Sequence, residues 1–596
     1  MKADIIYRII PVALAAFLAF PVSGQNLDPT VEVSRAYEGK LMEVHKPQLK
    51  MAVPDSVLRF DLDFDYSVSD NPYKGAYEFS PYTLDMKPSP VYRDVNTFYL
   101  KAGAGYQLHP VFDMIWSPLF KGDFRMNAYA SHRSFIGKYW SMAEPSSSGT
   151  AVLGKMTRTD GSKQTWPGYD LRSNAGVDGR YDWDAAYLCF DAGYDGLHQQ
   201  DKLFHVTGRA YDALKARMSV ASKNFIDVPF SYHADMAYRF AEDKLSDTSS
   251  ESSYLMENDF SLDAGLSYSF FSGDRLGVKL GFGMAMTDGI VYSGGGDVDV
   301  VPHYVIDRDR WHFDLGVRIS SSFRTETFSE MYGYEEQMIY PDVTVEYKAV
   351  PDAMKLYLRL GGDSRANSYA DIISYNHRAD IRYGRNIWNV LDVVDERISA
   401  AAGFKGRIGK RFSYDLEGGY VNYGNALLDG VVMAEATSVT PARWLPALGY
   451  SSYEKAYVSL GWLLDAEHFR FDGSFEYARC YGLPVESGAG LLLPAALTGD
   501  VAVTYDWKDR IFVGVDCVFS SARKGTAYYA ANRFAFKPID ARVPGYADLG
   551  LDVEYVVNRK FSAWARGGNL LGMTIQRSLL YAEKGPYFTL GICLNL

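Results

Sequence analysis

The chain has 596 residues, a formal net charge of −12 at pH 7 and 15% aromatic residues, including 45 Tyr. An acidic balance without a basic stripe gives no support for nucleic-acid binding. No apolar run after residue 24 reaches the roughly 20 residues of a membrane-spanning helix, which argues against a helical membrane protein. The many Tyr and the 53 Gly favour a β-barrel in a membrane, because Tyr suits the boundary between lipid and water.

Residues 1–24 have the pattern of a secretory signal peptide. Basic residues precede a short apolar run at 9–21, and small residues follow it. We expect this peptide to be cleaved after export, since the run is too short to span a bilayer as a helix. The next stretch, 25–56, is polar and carries few strand signals. We expect it to form a periplasmic N-terminal segment ahead of the remaining chain, 57–596.

Strict alternation of apolar and polar residues dominates 57–596. A period of two is typical of strands whose two faces meet different surroundings. In a membrane barrel one face of each strand contacts lipid and the other lines the lumen. We therefore expect a lipid-facing set that includes Phe260, Leu262, Leu266 and Phe270. On the same grounds, the residues expected to line the lumen are Asp61, Asp63, Asp263, Arg318 and Arg470.

An open sheet edge would leave backbone groups unpaired in hydrocarbon, so we expect an all-β fold, a closed antiparallel transmembrane β-barrel. The segments indicate roughly 20 strands, joined alternately by short turns and long extracellular loops. Short links at 272–274 and 508–510 predict two hairpins. The predicted long loops are 68–95, 140–168, 241–257, 324–337, 363–395, 425–450, 479–494 and 521–544.

The C-terminal residues alternate as far as the last position. Their apolar set is Phe588, Leu590, Ile592, Leu594 and Leu596. A segment of this kind matches the closing strand of an outer-membrane barrel, which the barrel-assembly machinery recognises during biogenesis. We therefore expect this stretch to complete the ring of strands.

Two C-terminal segments resemble those of known receptors. Residues 561–571, which end in Asn569-Leu570-Leu571, resemble the penultimate strand of TonB-dependent receptors, and 585–596 resembles their last strand. The early run 70–82 is similar to plug-less receptor-type barrels of Bacteroidota. The resemblance implies an integral outer-membrane barrel of a Gram-negative bacterium. Receptors of this family carry a plug domain before the barrel, and the segment 25–56 is too short for one.

No arrangement typical of an enzyme stands out. The phosphate-loop spacing at 149–155 is followed by Met156, where Ser or Thr would hold a metal ion. No GxSxG nucleophile elbow occurs, and the ten histidines form no local metal-binding pair. The run 294–299 lacks the graded oxygen ligands of a calcium loop, and a flexible turn is expected there. We therefore expect no catalytic, cofactor-binding or metal site, and keep an outer-membrane hydrolase assembled from distant strands as a reserve hypothesis.

Two functions remain open. The first is a non-catalytic membrane platform, which holds a lipoprotein or periplasmic protein partner in an envelope complex. The alternative is a channel or transporter for solute uptake, passive or coupled through a partner. The short N-terminal segment favours the first, because a barrel of roughly 20 strands without a plug needs its own loops or a partner to fill the lumen. Outer-membrane lipid is the other expected partner.

Overall fold

The computed structural model describes the chain from residue 97 to residue 596. Within this range the residues left out are 107, 143–150, 153–163, 201–207, 224–228, 246–252, 271–272, 290–292, 327–333, 352, 379–390, 435–442, 483–489 and 533–534. Four predicted features lie outside the described residues: the signal peptide, the segment 25–56, the predicted strand with Asp61 and Asp63, and the loop 68–95. No described helix is long and apolar enough to cross a membrane.

The described residues form 26 strands and one short helix. The first strands are β1 (Phe98–Gly105), β2 (Val111–Trp116), β3 (Phe124–Trp140), β4 (Ala151–Val152), β5 (Thr165–Asp182), β6 (Ala186–Gln200), β7 (Gly208–Ser222), β8 (Phe230–Leu245) and β9 (Ser253–Ser269). The next are β10 (Arg275–Gly289), β11 (Ser293–Arg308), β12 (Trp311–Glu326), β13 (Tyr334–Val350), β14 (Met354–Ala366), then helix α1 (Tyr369–Tyr375), β15 (Val393–Ile408), β16 (Phe412–Ala434) and β17 (Arg443–Asp465). The last are β18 (Phe469–Tyr481), β19 (Gly490–Leu491), β20 (Leu497–Trp507), β21 (Ile511–Ser520), β22 (Arg523–Asn532), β23 (Ala535–Val543), β24 (Tyr546–Asn558), β25 (Phe561–Gly568) and β26 (Tyr587–Asn595).

Twenty-two of these strands form one closed antiparallel ring, which leaves out only β4, β19, β22 and β23. Each ring strand pairs with the one that follows it, and β26 pairs with β1 along a ladder that starts with Asn595 opposite Tyr99. Because β1 also pairs with β2, neither of its edges is open. The predicted closed all-β barrel is confirmed.

The ring has 22 strands, where the sequence pattern indicates roughly 20. The pattern undercounts because the shortest strands give a weak signal. Strand β2 has six residues, and in β1 small residues take the place of most large apolar ones. A strand this short offers only about three positions on each face, too few for a clear period of two.

Short turns join the strands at one end of the barrel, and longer connections join them at the other. Both predicted hairpins are confirmed: β9 and β10 begin pairing with Ser269 opposite Arg275, and β20 and β21 with Trp507 opposite Ile511. Short turns of outer-membrane barrels face the periplasm. This places the start of β1 and the end of β26 at the periplasmic end. We refer to the opposite end of the lumen as the mouth.

Several predicted loops are shorter in the structure because the strands extend beyond the length needed to cross the membrane. Strand β16 continues to Ala434 and β17 begins at Arg443, so most of the predicted loop 425–450 is a strand pair. Strands β8 and β9 likewise occupy both ends of 241–257. The connection between β25 and β26 runs over 569–586, so the Asn569-Leu570-Leu571 end of the first receptor-like segment belongs to the connection and not to the strand.

The two faces of each strand meet different surroundings. On β9, Leu266 is 57% exposed, whereas Leu255 and Glu257 on the opposite face are fully buried. The buried face is the inner one, because side chains from non-neighbouring strands meet there and only a closed ring brings them together. Leu262 lies on the same face of the strand as Leu266, and Asp263 lies on the same face as Leu255, because each pair is an even number of positions apart. The assignment of the outer set to lipid stays a prediction.

We expect Leu262→Arg to impair assembly by about 2–4 kcal/mol, because it places a charge on the outer face near the middle of β9. The matched control is Ser261→Arg on the inner face of the same strand, which should be mild. Heat-modifiable mobility and urea unfolding in lipid vesicles measure both variants. Greater damage from Ser261→Arg would show that the two faces are assigned the wrong way round.

Candidate functional site at the mouth of the barrel

Strand β14 separates from its neighbour β13 before it reaches the mouth, while β15 stays paired with β16 as far as Asp395. Pairing of β14 with β13 ends at Leu360, and the register of β14 with β15 shifts between Gly361 and Asp363. A β-bulge of this kind bends a strand and redirects its end. Gly362 permits the close approach, because a Cβ there would lie 2.3 Å from the ring of Tyr340. The last residues of β14 therefore cross into the lumen.

The bent end of β14 contacts the inner faces of β11 and β12, which are not its neighbours in the ring. Arg318 lies with its Nη1 atom 2.7 Å from Oδ1 of Asp363 and 3.7 Å from Oδ2 of Asp299. The backbone N–H of Ala366 donates to Oδ1 of Asp297 over 3.1 Å. These contacts hold the strand end against the inner wall two to three strands away from β14.

Helix α1 forms beyond the bent strand and is capped twice. Ser368 and Asp371 make a capping box, in which each side chain accepts from the backbone N–H of the other residue. Glu257 of β9, which is fully buried, accepts from the N–H groups of Tyr369 and Ala370. Free N–H groups at a helix start carry partial positive charge and favour a carboxylate. The barrel wall therefore supplies a cap that the helix alone lacks.

Arg209 of β7 anchors the segment 367–378, which we refer to as the tip. Its guanidinium lies 2.6 Å from Asp243 of β8, and both groups contact the hydroxyl of Tyr369. Arg209 also donates to the backbone carbonyl of His377 over 2.9 Å. Arg209 is 7% exposed and Asp243 is not exposed at all. Removal of one partner from a buried ion pair typically costs about 3–5 kcal/mol, so this pair fixes the tip strongly.

Arg378 ties the end of the tip to a second connection. Its Nη1 atom donates to the carbonyl of Gln200 over 2.9 Å, and its Nη2 atom lies 3.4 Å from Asp170 of β5. The guanidinium also stacks on the ring of Tyr581, 4.9 Å from the ring centre. Tyr581 belongs to the connection 569–586, which is therefore packed against the tip.

The tip also contacts the long β16–β17 hairpin on the other side. The side chain of Asn376 donates to Asp429 over 3.0 Å, and Arg523 donates to the same carboxylate over 2.8 Å. Asn367 donates to the hydroxyl of Tyr450 over 3.1 Å. Asp429 and Tyr450 lie on β16 and β17, eight or more ring strands away from β7 and β8. The tip thus spans the lumen from one wall to the other.

An apolar cluster lies around the tip. Its members come from β6 to β9, the tip, the connection that follows it, and β17: Leu197, Tyr211, Ala213, Ala241, Leu255, Tyr369, Ile372, Ile373, Leu391 and Leu448. Burial of each large apolar side chain contributes about 1.5–3 kcal/mol. The cluster therefore adds a hydrophobic contribution to the polar anchors on either side of it.

Two basic groups at the connection 569–586 have pKa values below their usual range. Burial, together with the nearby Lys584, lowers the pKa of His109 to about 4. Burial lowers the pKa of Lys584 to about 8. Lys584 donates to Nε2 of His109 over 2.6 Å, and Nδ1 of that neutral ring lies 2.8 Å from the hydroxyl of Thr589. This chain of contacts fixes the second connection to the wall at β26.

The structure brings one of the predicted lumen residues, Arg318, to the bent end of β14 through Asp363. Arg470 pairs with Asp472 on its own strand at 3.0 Å. Asp263 lies on the inner face of β9. The exposure of side chains follows the predicted alternation. Phe270 is 40% exposed, and the closing strand has Phe588 at 48%, Leu590 at 54%, Ile592 at 42% and Leu596 at 50%.

Sequence reasoning missed the residues that anchor the tip. Asp243 and Glu257 fall in a stretch predicted to be a loop, and Arg209 is one charge among many on alternating strands. Their importance depends on partners more than a hundred positions away, for which no local signal exists.

No metal centre is evident in the part of the chain that the structure describes. It contains no group of three or more His, Cys, Asp or Glu placed to hold an ion. The run 294–299, expected to be a flexible turn, lies inside β11, where the extended backbone spreads its carboxylates along the strand. Most of the stretch 149–155 lies outside the described residues.

No family model matches the chain, and no curated protein is similar to it in sequence. Solved structures are similar to it in fold. The FrpB iron transporter from Neisseria meningitidis (F3-3 variant) matches with a TM-score of 0.59 and 10% identity over 84% of this chain and 81% of that one. The siderophore receptor PirA from Acinetobacter baumannii matches with a TM-score of 0.57 and 11% identity over 84% and 80%. The copper transporter OprC matches with a TM-score of 0.57 and 13% identity over the same shares. Identity this low shows the fold alone, that of a closed antiparallel β-barrel.

We expect Arg209→Ala to release the tip from the inner wall, because it leaves Asp243 buried without its ionic partner. If the free energy that holds the tip closed falls by about 3 kcal/mol, the rate of amide exchange across 367–378 rises about a hundredfold. Hydrogen–deuterium exchange in nanodiscs measures this. The matched control is Arg217→Ala, which removes an inner-face arginine of the same strand that pairs with Asp235 at 2.8 Å. Equal amide exchange across 367–378 in the two variants would show that Arg209 does not anchor the tip.

Proposed function

We propose that the chain is a receptor-type outer-membrane barrel without a plug, closed at its mouth by its own tip, which works as a non-catalytic subunit of an envelope complex. The observation that carries this proposal is the tip itself, which spans the lumen and is anchored to opposite walls. The tip is held by the Arg209–Asp243 pair on one side and by Asp429 on the other.

A barrel of 22 strands encloses a lumen wide enough to leak unless something fills it. The tip meets this need at the mouth, since its anchors are buried, charged and spread over several strands. Water and ions that pass through would have to displace it. A closed barrel of this kind is suited to holding a partner in the membrane, with the segment 25–56 as the docking site for a lipoprotein or periplasmic protein.

Solute uptake is the second candidate, and one observation favours it. The solved structures of similar fold include an iron transporter, a siderophore receptor and a copper transporter. In that function the tip would close the resting barrel, and a partner would drive its opening. The inner wall, with ion pairs such as Lys405–Glu346 at 2.8 Å, would then line the path of a polar solute.

The first test is conductance in a planar lipid bilayer. We expect the intact barrel to conduct little or not at all, and Arg209→Ala/Arg378→Ala to conduct measurably, because both anchors of one end are lost. Arg217→Ala serves as the control with intact anchors. A large, steady conductance of the intact protein without any partner would favour a passive channel and contradict the proposed closure.

The second test concerns the partner. We expect at least one envelope protein to accompany the chain through gentle purification from its native membrane. Deletion of 26–50 should leave the barrel inserted, as judged by heat-modifiable mobility, and should remove a periplasmic partner. If the intact protein purifies alone and also fails to conduct, both functions lose their support, and a direct hydrolase assay becomes the next experiment.

A further inference from the structure

His377 occupies a position at which the charge of one ring affects the whole tip. Its carbonyl accepts from Arg209, and its Nε2 atom lies 3.1 Å from Nη2 of Arg172 on β5. Arginine can only donate, so the imidazole must accept at Nε2 and is neutral in this arrangement. The nearest carboxylate, Asp170, is 3.9 Å from the same nitrogen.

The groups that face His377 are mostly cationic. Strand β5 contributes Arg172 and Asp170, β7 contributes Arg209, and the tip itself contributes Arg378. Asp170 is shared, since it also lies 3.2 Å from Arg172 and 3.4 Å from Arg378. The glutamine side chains of β6 nearby are uncharged. Asp243 of β8 balances Arg209 alone, at 2.6 Å. A proton on His377 would therefore add a fourth cation beside these two carboxylates and would abolish the acceptor that Arg172 uses.

Burial, reinforced by Arg172, lowers the pKa of His377 from 6.5 to about 3. In a released tip the ring is exposed to water and returns to its ordinary value near 6.5. A lowered pKa means that the released state binds the proton more readily than the closed state. Above about pH 6.5 the ratio of closed to released molecules therefore does not change with pH. Below pH 6.5 this ratio falls by up to about tenfold for each pH unit, down to about pH 3.

The tip can move without breaking the ring. Strand β14 pairs with β13 only as far as Leu360, and β14 stays paired with β15 beyond the bulge at 361–363. The tip can therefore move relative to the hairpin end, whose β15 strand stays paired with β16 as far as Asp395. Movement of the tip has to break the contacts at Arg209, Glu257 and Arg378, two of which are next to His377 in space or sequence, and those of Asn376 with Asp429 and of Asn367 with Tyr450.

We propose that the tip is an acid-released latch, in which protonation of His377 repels the surrounding arginines and frees 367–378 from the inner wall. This inference rests on the proposed closing role of the tip and specifies what regulates it. Acidic surroundings outside the cell would then uncover the mouth, while the barrel wall remains intact.

The test measures the position of the tip directly. The four native cysteines, Cys189, Cys480, Cys517 and Cys593, are replaced by Ser. Nitroxide labels are then attached to Ser374→Cys on the exposed side of α1 and Lys244→Cys on the rim of β8. Pulsed electron double resonance in nanodiscs at pH 7.5 and pH 4.5 gives the distance distribution between the labels. We expect one narrow distance at pH 7.5 and a longer, broad component at pH 4.5, with the ratio of released to closed molecules raised by up to about a hundredfold.

His377→Gln should keep the narrow distance at both pH values, because the amide oxygen still accepts from Arg172 but does not titrate. The matched control is His303→Gln, which alters an inner-wall histidine that lies 3.0 Å from Asp314, far from the tip. It should behave like the parent. Heat-modifiable mobility confirms that each variant is folded at both pH values.

Arg209→Ala distinguishes failure of this inference from failure of the proposed closure. If this variant lengthens the distance at pH 7.5 but acid leaves the folded parent unchanged, the latch is not released by acid and the closure proposal stands. Equal acid release in His377→Gln and the parent would likewise overturn the role of His377. If Arg209→Ala leaves the distance unchanged, the anchoring of the tip is wrong, and both proposals fall.

Discussion

Hydrocarbon offers no partner for a free backbone N–H or C=O group, and the rest of this structure depends on that constraint. Every ring strand must pair on both edges, so the sheet has to close. Closure is achieved where β26 pairs with β1, across nearly the whole length of the described chain. The alternation of apolar and polar residues then assigns one face to the outside and the other to the lumen.

Closure of 22 strands creates a wide lumen, and the same chain partly fills it. The device is a bulge in β14 beside Tyr340, accompanied by register shifts between β15 and β16, and it bends the strand inward where a straight one would continue into the outer loops. Once the strand crosses the lumen, its end meets walls that already carry buried charges. Glu257 caps the helix that follows, and Arg209 pairs with Asp243 against the ring of Tyr369.

Burial of the charged groups costs free energy of desolvation, and the same groups restrict the tip to one position. A lumen filled only by apolar contacts could accept the tip in several positions, whereas a buried ion pair tolerates one geometry and penalises the others. The same property makes the mouth responsive. In the proposed acid release, His377 accepts from Arg172 as a neutral ring while the tip is closed, and binds a proton below about pH 6.5 once the tip is free.

The sequence by itself determined the all-β class, the closed barrel, both short hairpins and the closing strand, because these depend on alternation over ten or so neighbouring residues. It undercounted the strands where β1 and β2 are short, and it took the ends of long strands for loops. Only the tertiary structure decided that 363–378 enters the lumen and that Arg209, Glu257 and Asp243 hold it. Arg209 and His377 are 168 positions apart, and no local pattern carries information about such a pair. Their contact exists only because the ring, once closed by backbone hydrogen bonding, faces its own inner wall.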